Sequence, residues 1–355
     1  MVQPRRPNMK RSNTVGMDMG DKKNQICILD HDGNVCSTDS VANTAKAIRK
    51  KFGAMPPSVV AIEAGTHSPW VSRLLEELGH RVLIGNPRKL RVIWDSDNKY
   101  DPRDAEMLAR IARFDPRLLY PIHHRGEEAQ SDLAVIKARY ALIKSRSALI
   151  AHCRGSVKSV GGRISKCSAA TFHHRLYAEM PDALRAALSP MIELLADLTA
   201  RIREFDRQIE TLSKDKYPET LRIRQIRGVG PVTALAFVLT IEESSRFKKS
   251  RSVGPYLGLV PKRDQSGQTD KQLGITKAGN EYLRTLLVNC AQYMLGHFGE
   301  ECDLKRFGEK LAARGGKNAR KKAIVAMARK IAVLMHHLWK TGEDYKPLRN
   351  ATKAA

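Results

Sequence analysis

Acidic side chains occur in the middle of one predicted strand, at the end of a second strand and at the start of a predicted helix. Asp18 lies in the strand-like run Gly16–Gly20, Glu63 follows the apolar run Ser58–Ile62, and Asp101 and Asp104 stand three residues apart at a predicted helix start. A carboxylate within a strand is costly to bury unless a cation compensates its charge. One acid on a first strand, one ending a later parallel strand and a pair on the next helix can gather two divalent ions, and hard oxygen ligands select Mg²⁺.

Each acid also has an ordinary structural explanation. Asp18 and Glu63 fit acids at strand ends, and Asp101 fits a helix N-cap with Pro102 at the first helical position. Asp104 is favoured near the positive end of the helix dipole. Capping is the preferred interpretation of the pair taken alone, and it is compatible with metal binding by Asp101. Only the combination favours a two-metal site for phosphoryl chemistry.

A serine offers a second kind of chemistry. Ser266 stands in a polar segment beside Lys262, Arg263 and Gly267, and a hydroxyl among cations can attack a phosphodiester if its deprotonation is assisted. The residues alone favour a plain loop serine, because no Ser/His/Asp grouping is visible nearby.

Two further segments are candidates for phosphate contact. The turn Arg227–Gly230 precedes a predicted helix, and its glycines let backbone N–H groups approach a phosphate; a tight turn between helices is an equal alternative. The segment 314–330 predicts a helix with an apolar stripe and a cationic face carrying Lys317, Arg320, Lys321 and Lys322. A solvated face is the ordinary explanation, but the charge of the chain favours phosphate contact.

The composition supports a polyanionic partner. The 355 residues contain 62 Lys and Arg against 37 Asp and Glu, a net charge of +25, and a phosphate backbone relieves such self-repulsion. The apolar fraction argues against a ribosomal-type protein, and no run of about 18 apolar residues predicts a membrane span. Residues 1–13 form a basic arm without the apolar core of a signal peptide. The six scattered cysteines argue against zinc and disulfides and favour a reducing cytoplasm.

The elements that must position these residues fall into two classes. A hairpin over 15–37, a helix over 43–52, the strands 58–62 and 81–85 and a helix over 70–78 predict an α/β domain with a partly parallel sheet. Apolar residues then recur at helical spacing over 127–156 and 182–217, which predicts two long antiparallel helices, with a mobile loop at 154–168 between them. The remainder, 221–346, predicts helices joined by glycine turns.

Taken together, the ordered motifs resemble the DEDD-type insertion-sequence transposases, whose N-terminal domain is like the RuvC resolvase. The matching motifs are Gly16–Asp18, Ala61–Ala64, Asp101–Ala105, Gly228–Pro231, Tyr256–Leu259, Ser266–Gly267 and Ile275–Asn280.

The resemblance implies a division of the chain. It implies a RuvC-like (RNase H-like) α/β domain at 14–122, a coiled-coil region at 123–218, a mainly α C-terminal domain with a helix-hairpin-helix-like element at 219–346, and a tail at 347–355.

The resemblance also implies a chemistry. Asp18, Glu63, Asp101 and Asp104 would be the metal-binding tetrad, holding two Mg²⁺ ions. Ser266 would be the nucleophile that links covalently to DNA, with Thr269 and Ser252 as weaker substitutes. Family members are guided by a structured bridge RNA and act as multimers, here a dimer or tetramer, in the prokaryotic cytoplasm at the nucleoid. The candidate nucleic-acid contacts are Arg227, Gly228, Gly230, Lys262, Arg263, Lys277, Arg284, Lys317, Arg320, Lys321 and Lys322.

Other functions stay open at this point. A metal-dependent resolvase or nuclease would need the four acids but not Ser266, and a non-catalytic DNA or RNA scaffold would need only the cationic faces. A tyrosine nucleophile, Tyr256 or Tyr282, is a lesser alternative, because the Arg/His cluster that such enzymes need is not evident.

Overall fold

The computed structural model describes residues 12–90, 101–267 and 269–349, without the side chains of Asp101, Thr269 and Gln272. The basic arm at 1–13 and the tail at 347–355 therefore fall mostly outside the described residues. The chain divides into two compact units, residues 1–125 (unit 1) and 126–355 (unit 2).

Unit 1 is built on a five-stranded mixed sheet. Its elements in chain order are β1 (Thr14–Met19), β2 (Lys23–Leu29), β3 (Val35–Ala42), α1 (Ala45–Gly53), β4 (Val59–Glu63), α2 (Ser68–Glu77), β5 (Arg81–Gly85), α3 (Asp101–Phe114) and a 3₁₀ turn at Pro116–Leu119. The strand order is β3-β2-β1-β4-β5. The first three strands pair antiparallel, and β4 is parallel to both β1 and β5.

The two faces of this sheet are covered by different helices. Val15, Met17 and Ile62 point to the face where α1 and α2 supply Phe52 and Leu75 to a core. The alternate residues form the opposite face, which packs against α3. Because side chains alternate along a strand, both faces of β1 and β4 are buried, as the apolar runs in the sequence predict.

The N-terminal predictions are largely confirmed, with one correction. The predicted hairpin over 15–37 takes residues 15–29 as its first strand, but that run breaks at residues 20–22 into β1 and β2. Gly20 stands at the break, where a Cβ would approach the Lys23 carbonyl oxygen to 2.5 Å. The predicted turn after Leu29 does connect two strands, β2 and β3.

Unit 2 is mostly helical. Its elements are α4 (Glu127–Ser159), α5 (Phe172–Glu179), a 3₁₀ turn (Asp182–Leu184), α6 (Arg185–Thr211), a π-helical turn (Leu212–Lys216), α7 (Glu219–Ile223), α8 (Pro231–Ile241), 3₁₀ turns at Ser244–Arg246 and Ser250–Ser252, α9 (Val253–Tyr256), β6 (Pro261–Ser266), β7 (Thr269–Ile275), α10 (Glu281–Met294), α11 (Asp303–Ala312) and α12 (Ala319–Thr341).

The two long helices run antiparallel, as predicted. Arg139 of α4 contacts Asp206 of α6 at 2.6 Å, and Arg146 contacts Thr199 at 3.2 Å. The partner numbers fall as those on α4 rise, which is the signature of an antiparallel pair.

The predicted mobile loop at 154–168 is wrong in its first part, because α4 continues to Ser159. Arg154 donates to the Ile164 carbonyl oxygen at 3.0 Å, and its guanidinium lies 4.9 Å from the centre of the Phe172 ring. Ile164 is itself buried. Although this segment is rich in glycine and serine, it is packed against the helices and is not a mobile loop.

The C-terminal region departs from the prediction in one element. An antiparallel hairpin, β6 paired with β7, interrupts the helices. Its β6 residues, Pro-Lys-Arg-Asp-Gln-Ser, are all exposed. Strand prediction relies on an apolar face, which β6 lacks.

Candidate active site

The two strands that carry Asp18 and Glu63 end side by side. In the parallel pairing of β1 with β4, Gly16 is opposite Ala61 and Met17 is opposite Ile62. Asp18 and Glu63 are the next residues on their strands, and alternation places both on the face of Gly16 and Ala61. The two carboxylates therefore belong to one edge and one face of the sheet.

Helix α3 covers that same face in very close contact. A Cβ at Gly16 would lie 1.9 Å from the Ala105 carbonyl oxygen and 2.6 Å from the Ala109 nitrogen. Glycine is thus required for the helix backbone to approach the strand this closely. Farther along the helix, Arg113 donates to the Thr14 hydroxyl at 3.5 Å.

These contacts determine the direction of α3. Its C-terminal end lies at Thr14, where β1 begins, so its N-terminal end extends towards Asp18. Asp104, next to Ala105, is buried with 5% of its surface exposed. A carboxylate buried this deeply needs compensation by donors or a cation. The structure therefore brings Asp18, Glu63 and Asp104 to one end of one sheet face.

Asp18 and Glu63 line a cleft of about 310 Å³, here called the carboxylate cleft, together with Met19–Asp21 and Ala64–His67. No three His, Cys, Asp or Glu side chains among the described residues form a group that could hold a metal ion. The Asp101 side chain, the fourth predicted ligand, lies outside those residues, although α3 begins at Asp101 as predicted. The four predicted ligands are all carboxylates, and carboxylate oxygens are among the hard donors that Mg²⁺ prefers.

The sequence analysis missed His67 and Asp21, which line the same cleft. The His67 Nε2 lies 3.4 Å from an Asp21 carboxylate oxygen, and the Trp70 indole N–H donates to His67 Nδ1 at 3.3 Å. Their closeness to Asp18 and Glu63 in the chain was the available signal.

The loop after Glu63 is held by a buried hydroxyl. Ser68 Oγ hydrogen-bonds both the amide and the carbonyl of Gly65, at 3.0 and 2.8 Å, and lies 2.7 Å from His124 Nε2. Burial lowers the pKa of His124, with the nearby Arg73 and Arg125 adding to the effect. Because its lowered pKa favours the neutral form, this imidazole packs beside Ser68 without carrying a charge.

Ser266 stands in a different setting, at the tip of the β6–β7 hairpin (the serine hairpin). It pairs with Thr269 across the turn, and the next residue, Gly267, has a φ of +53° that favours glycine. The serine is exposed, and its hydroxyl makes no hydrogen bond within the described ranges. The prediction of a loop serine is corrected to the last residue of a strand.

Comparison with known proteins decides the family. A model described as "Transposase IS116/IS110/IS902 family" matches residues 221–307, and a DEDD transposase model of the IS110 group matches residues 15–161. The chain is 30% identical to the transposase for insertion sequence element IS1111A of Coxiella burnetii, over 96% of this chain and 93% of that one.

The chain belongs to the IS110 family of insertion-sequence transposases. Transposases of this family cut and rejoin DNA, so the chain is an enzyme. The chain is also similar to a probable family 20 transposase of Pseudomonas aeruginosa, 27% identical over 94% of this chain and 98% of its own, and to the pilin gene-inverting protein of Moraxella lacunata, 26% identical over 72% of each.

One predicted nucleic-acid contact of the transposase is wrong. Arg284 is buried, and its guanidinium donates to the carbonyl oxygens of Leu257, Ala278 and Gly279. It joins the two segments that flank the serine hairpin, whose backbones are also in close contact: a Cβ at Gly258 would meet the Ala278 nitrogen at 2.2 Å. Arg284 therefore positions the base of the hairpin and is not available to DNA.

The other predicted contacts of the transposase are accessible side chains or backbone turns. Arg227 is exposed and pairs with Glu300 at 3.2 Å, and Arg263 pairs with Asp270 at 2.6 Å. Gly228 and Gly230 form the turn before α8, as predicted, with Gly228 at a φ of +87°. Lys262 and Lys277 are exposed beside the hairpin. Helix α12 begins only at Ala319, so Lys317 precedes it, while Arg320, Lys321 and Lys322 form its exposed first turn.

The alternative tyrosine nucleophiles have packing roles. Tyr282 stacks on Tyr140 with ring centres 4.2 Å apart, and burial raises its pKa. Tyr256 lies against the Arg246 guanidinium at 4.9 Å. The raised pKa of Tyr282 disfavours the phenolate that would act as a nucleophile, and the Tyr256 hydroxyl donates to the Thr240 carbonyl oxygen at 3.5 Å. Across the described residues, no helix has the length and apolarity to cross a membrane.

Proposed function

We propose that this transposase exchanges DNA strands by combining the carboxylate cleft with the Ser266 hydroxyl. One observation carries the proposal. Asp18 and Glu63 lie on the same sheet face, and α3, which covers that face, carries the buried Asp104. Asp18, Glu63, Asp101 and Asp104 would hold two Mg²⁺ ions. Bound divalent cations supply Lewis-acid stabilisation of charge on a reacting phosphoryl group.

The serine step conserves the phosphodiester. Ser266 Oγ attacks phosphorus, an Oγ–P bond forms, and the bridging P–O bond of the DNA breaks. The proton lost by the serine is balanced by the hydroxyl released at the cut end. Attack by the hydroxyl of another strand reverses the step and frees Ser266, so that rejoining needs no external energy source. Exposure at a hairpin tip suits a nucleophile that must reach a phosphate in a bulky duplex.

The partners in this proposal are DNA, a structured bridge RNA and further copies of the chain. Arg227, Gly228, Gly230, Lys262, Arg263, Lys277, Lys317, Arg320, Lys321 and Lys322 are the proposed phosphate contacts. The net charge of +25 supports a polyanionic partner. Purification from cells and sequencing of the bound RNA tests the guide, and a preparation free of defined RNA would contradict it.

The chemistry is tested by trapping the covalent link. Wild-type protein is incubated with Mg²⁺, its copurified RNA and labelled DNA carrying the ends of its element, and protein–DNA adducts are separated under denaturing conditions. We expect Ser266→Ala to abolish the adduct but not DNA binding. Ser252→Ala, at another exposed serine of unit 2, is the matched control and should form it normally.

The carboxylates are tested in the same assay. Asp18→Asn should prevent cleavage, whereas Asp32→Asn, in the exposed β2–β3 turn, should not. Cleavage without an adduct, abolished in Asp18→Asn but retained in Ser266→Ala, would identify a metal-only nuclease. Normal transposition with an Asp104→Asn variant would indicate that the protein is a non-catalytic scaffold.

A further inference from the structure

Unit 2 contains a large cleft that the sequence analysis did not detect. It has a volume of about 1540 Å³ and lies between the serine hairpin, α11, α12 and the chain segment 345–349. The amide of Asp303, at the start of α11, donates to the Pro347 carbonyl oxygen at 2.8 Å, which holds the C-terminal wall in place. We call this surface the basic cleft.

The lining of the basic cleft is strongly cationic. Eight of its residues are Lys or Arg, against one carboxylate, Asp303. Arg349 is paired with Glu343 at 3.3 Å. The remaining rim cations have no ion-pair partner within the described part of the chain: Arg314, Lys317, Lys321, Lys322, Arg329, Lys330 and Lys346. Like charges gathered in a concave surface repel each other, and a polyanion relieves the repulsion.

The interior of the same cleft is apolar. Phe307, Leu311, Val325 and Leu334 line it and are only partly buried. Leu273 of β7 forms part of the hairpin wall and is 50% exposed. The Lys330 ammonium group lies 3.9 Å from the centre of the Phe307 ring, so cationic and apolar surfaces meet directly.

This combination distinguishes between forms of nucleic acid. A duplex stacks its base faces internally and presents phosphates and groove edges, which would leave the apolar interior in water. An unpaired strand has free base faces to cover apolar side chains, while its phosphates contact a cationic rim. An acidic peptide would match the charge of the rim but would not supply a series of flat base faces to cover the apolar side chains.

We propose that the basic cleft binds unpaired DNA, holding a strand end released by cleavage. The inference rests on the proposed function, because strand exchange is what supplies an unpaired end. Its test needs no catalysis, however, so the two can fail separately. Rim lysines would contact phosphates, and Leu273 and the neighbouring apolar side chains would cover base faces.

The first experiment measures lysine protection in the full chain. Lysines are acetylated briefly with and without a 20-nucleotide unpaired DNA, its blunt duplex, the same sequence as RNA, and polyglutamate, and modification is quantified by mass spectrometry. At about four times Kd, where a site is about 80% occupied, acetylation of Lys317, Lys321, Lys322 and Lys346 should fall about fivefold with unpaired DNA. Lys46 and Lys50, exposed on α1, should be unchanged.

The other probes provide the contradicting results. Equal protection by the duplex would overturn the assignment to an unpaired strand, stronger protection by RNA would overturn the assignment to DNA, and protection by polyglutamate alone would indicate a protein partner. Protection that is no greater in the cleft than at Lys46 and Lys50 would overturn the site itself.

The second experiment separates charge from apolar contact. Lys321→Ala with Lys322→Ala should lower the slope of log K against log salt by about 1.4 for unpaired DNA, because each phosphate that the protein neutralises on a single strand adds about 0.7 to that slope. Lys46→Ala with Lys50→Ala should leave it unchanged. Leu273→Ser should weaken unpaired-strand binding about fivefold without changing duplex binding, and equal weakening of both would contradict base contact.

The outcomes also separate this inference from the proposed function. Protected cleft lysines in a protein that forms no covalent adduct would refute the serine chemistry and retain the cleft. An adduct formed by a protein whose cleft lysines stay unprotected would refute the cleft alone.

Discussion

The carboxylate cleft and the serine hairpin differ in what positions their side chains. In unit 1, strand pairing, sheet alternation and the Gly16 contact with α3 leave the carboxylates little freedom. In unit 2, Ser266 belongs to a hairpin strand whose residues are all exposed, and packing is confined to the base, where Arg284 joins three carbonyls. Metal ligands need fixed spacing, whereas a nucleophile that must reach a duplex needs access.

The largest expected effect concerns metal removal at the rigid site. Chelation of divalent cations should reduce strand cleavage about a thousandfold or more, because metal ions contribute several kcal/mol to phosphoryl transfer. Glu63→Gln should reproduce the loss in the presence of Mg²⁺, while Glu76→Gln, exposed on α2, should not. Full cleavage in excess chelator would show that the reaction does not need a divalent metal ion and that the serine acts without one.

The next effect tests how tightly the carboxylate face is packed. Gly16→Ala would place a methyl group within 1.9 Å of the Ala105 carbonyl oxygen, and such overpacking typically costs about 1–3 kcal/mol or more. We expect a loss at the upper end of that range, measured by denaturant unfolding, with reduced cleavage. Gly65→Ala, with no atom within 4 Å of its added Cβ, is the control. Equal stability of the two variants would mean that α3 is not held as closely as described.

The base of the serine hairpin should be more tolerant. Arg284→Ala removes a buried guanidinium that donates to three carbonyl oxygens, and such bonds contribute about 1.5–3 kcal/mol. We expect destabilisation of about 2 kcal/mol in denaturant unfolding, with the salt slope of DNA binding unchanged. Arg263→Ala, at the exposed ion pair with Asp270, should show the reverse: unchanged stability and a reduced slope. A reduced slope for Arg284→Ala would restore it as a phosphate contact.

The smallest effect is a pH dependence present in both units. Burial lowers the pKa of His80 in unit 1 and of His336 in unit 2. His80 accepts from the Ser58 amide at 3.2 Å, and His336 Nε2 lies 3.0 Å from the Ser244 carbonyl oxygen. The unfolded chain takes up a proton near pH 6.5 while these folded imidazoles resist it. Stability should therefore fall as pH decreases through about 6.5, until the lowered folded-state pKa is passed.

Calorimetry between pH 7.5 and 5 measures this dependence. We expect each histidine to contribute a decrease in Tm on acidification. His80→Gln and His336→Gln should each reduce the dependence, and His31→Gln, at an exposed turn, should not. A Tm that rises on acidification would reverse the sign and contradict neutral burial.

Local patterns in the sequence determined much of this fold. The strands β4 and β5, the helices α1 and α2 and the antiparallel pair α4 and α6 lie where apolar periodicity predicts them, because burial of one face or stripe imposes that periodicity. The family was also evident from ordered short motifs, including those around Asp18, Glu63 and Asp101.

Tertiary structure decided what periodicity cannot encode. The serine hairpin has no apolar face along β6, so its strand character comes from pairing with β7 and from the glycine contacts at its base. Arg284 has the positive charge expected of a DNA contact. In the folded chain, however, it is buried and donates to three backbone carbonyl oxygens of neighbouring turns. The placement of Asp18, Glu63 and Asp104 at one end of one sheet face depends on strand register and on the direction of α3, and both are set by contacts between residues far apart in the chain.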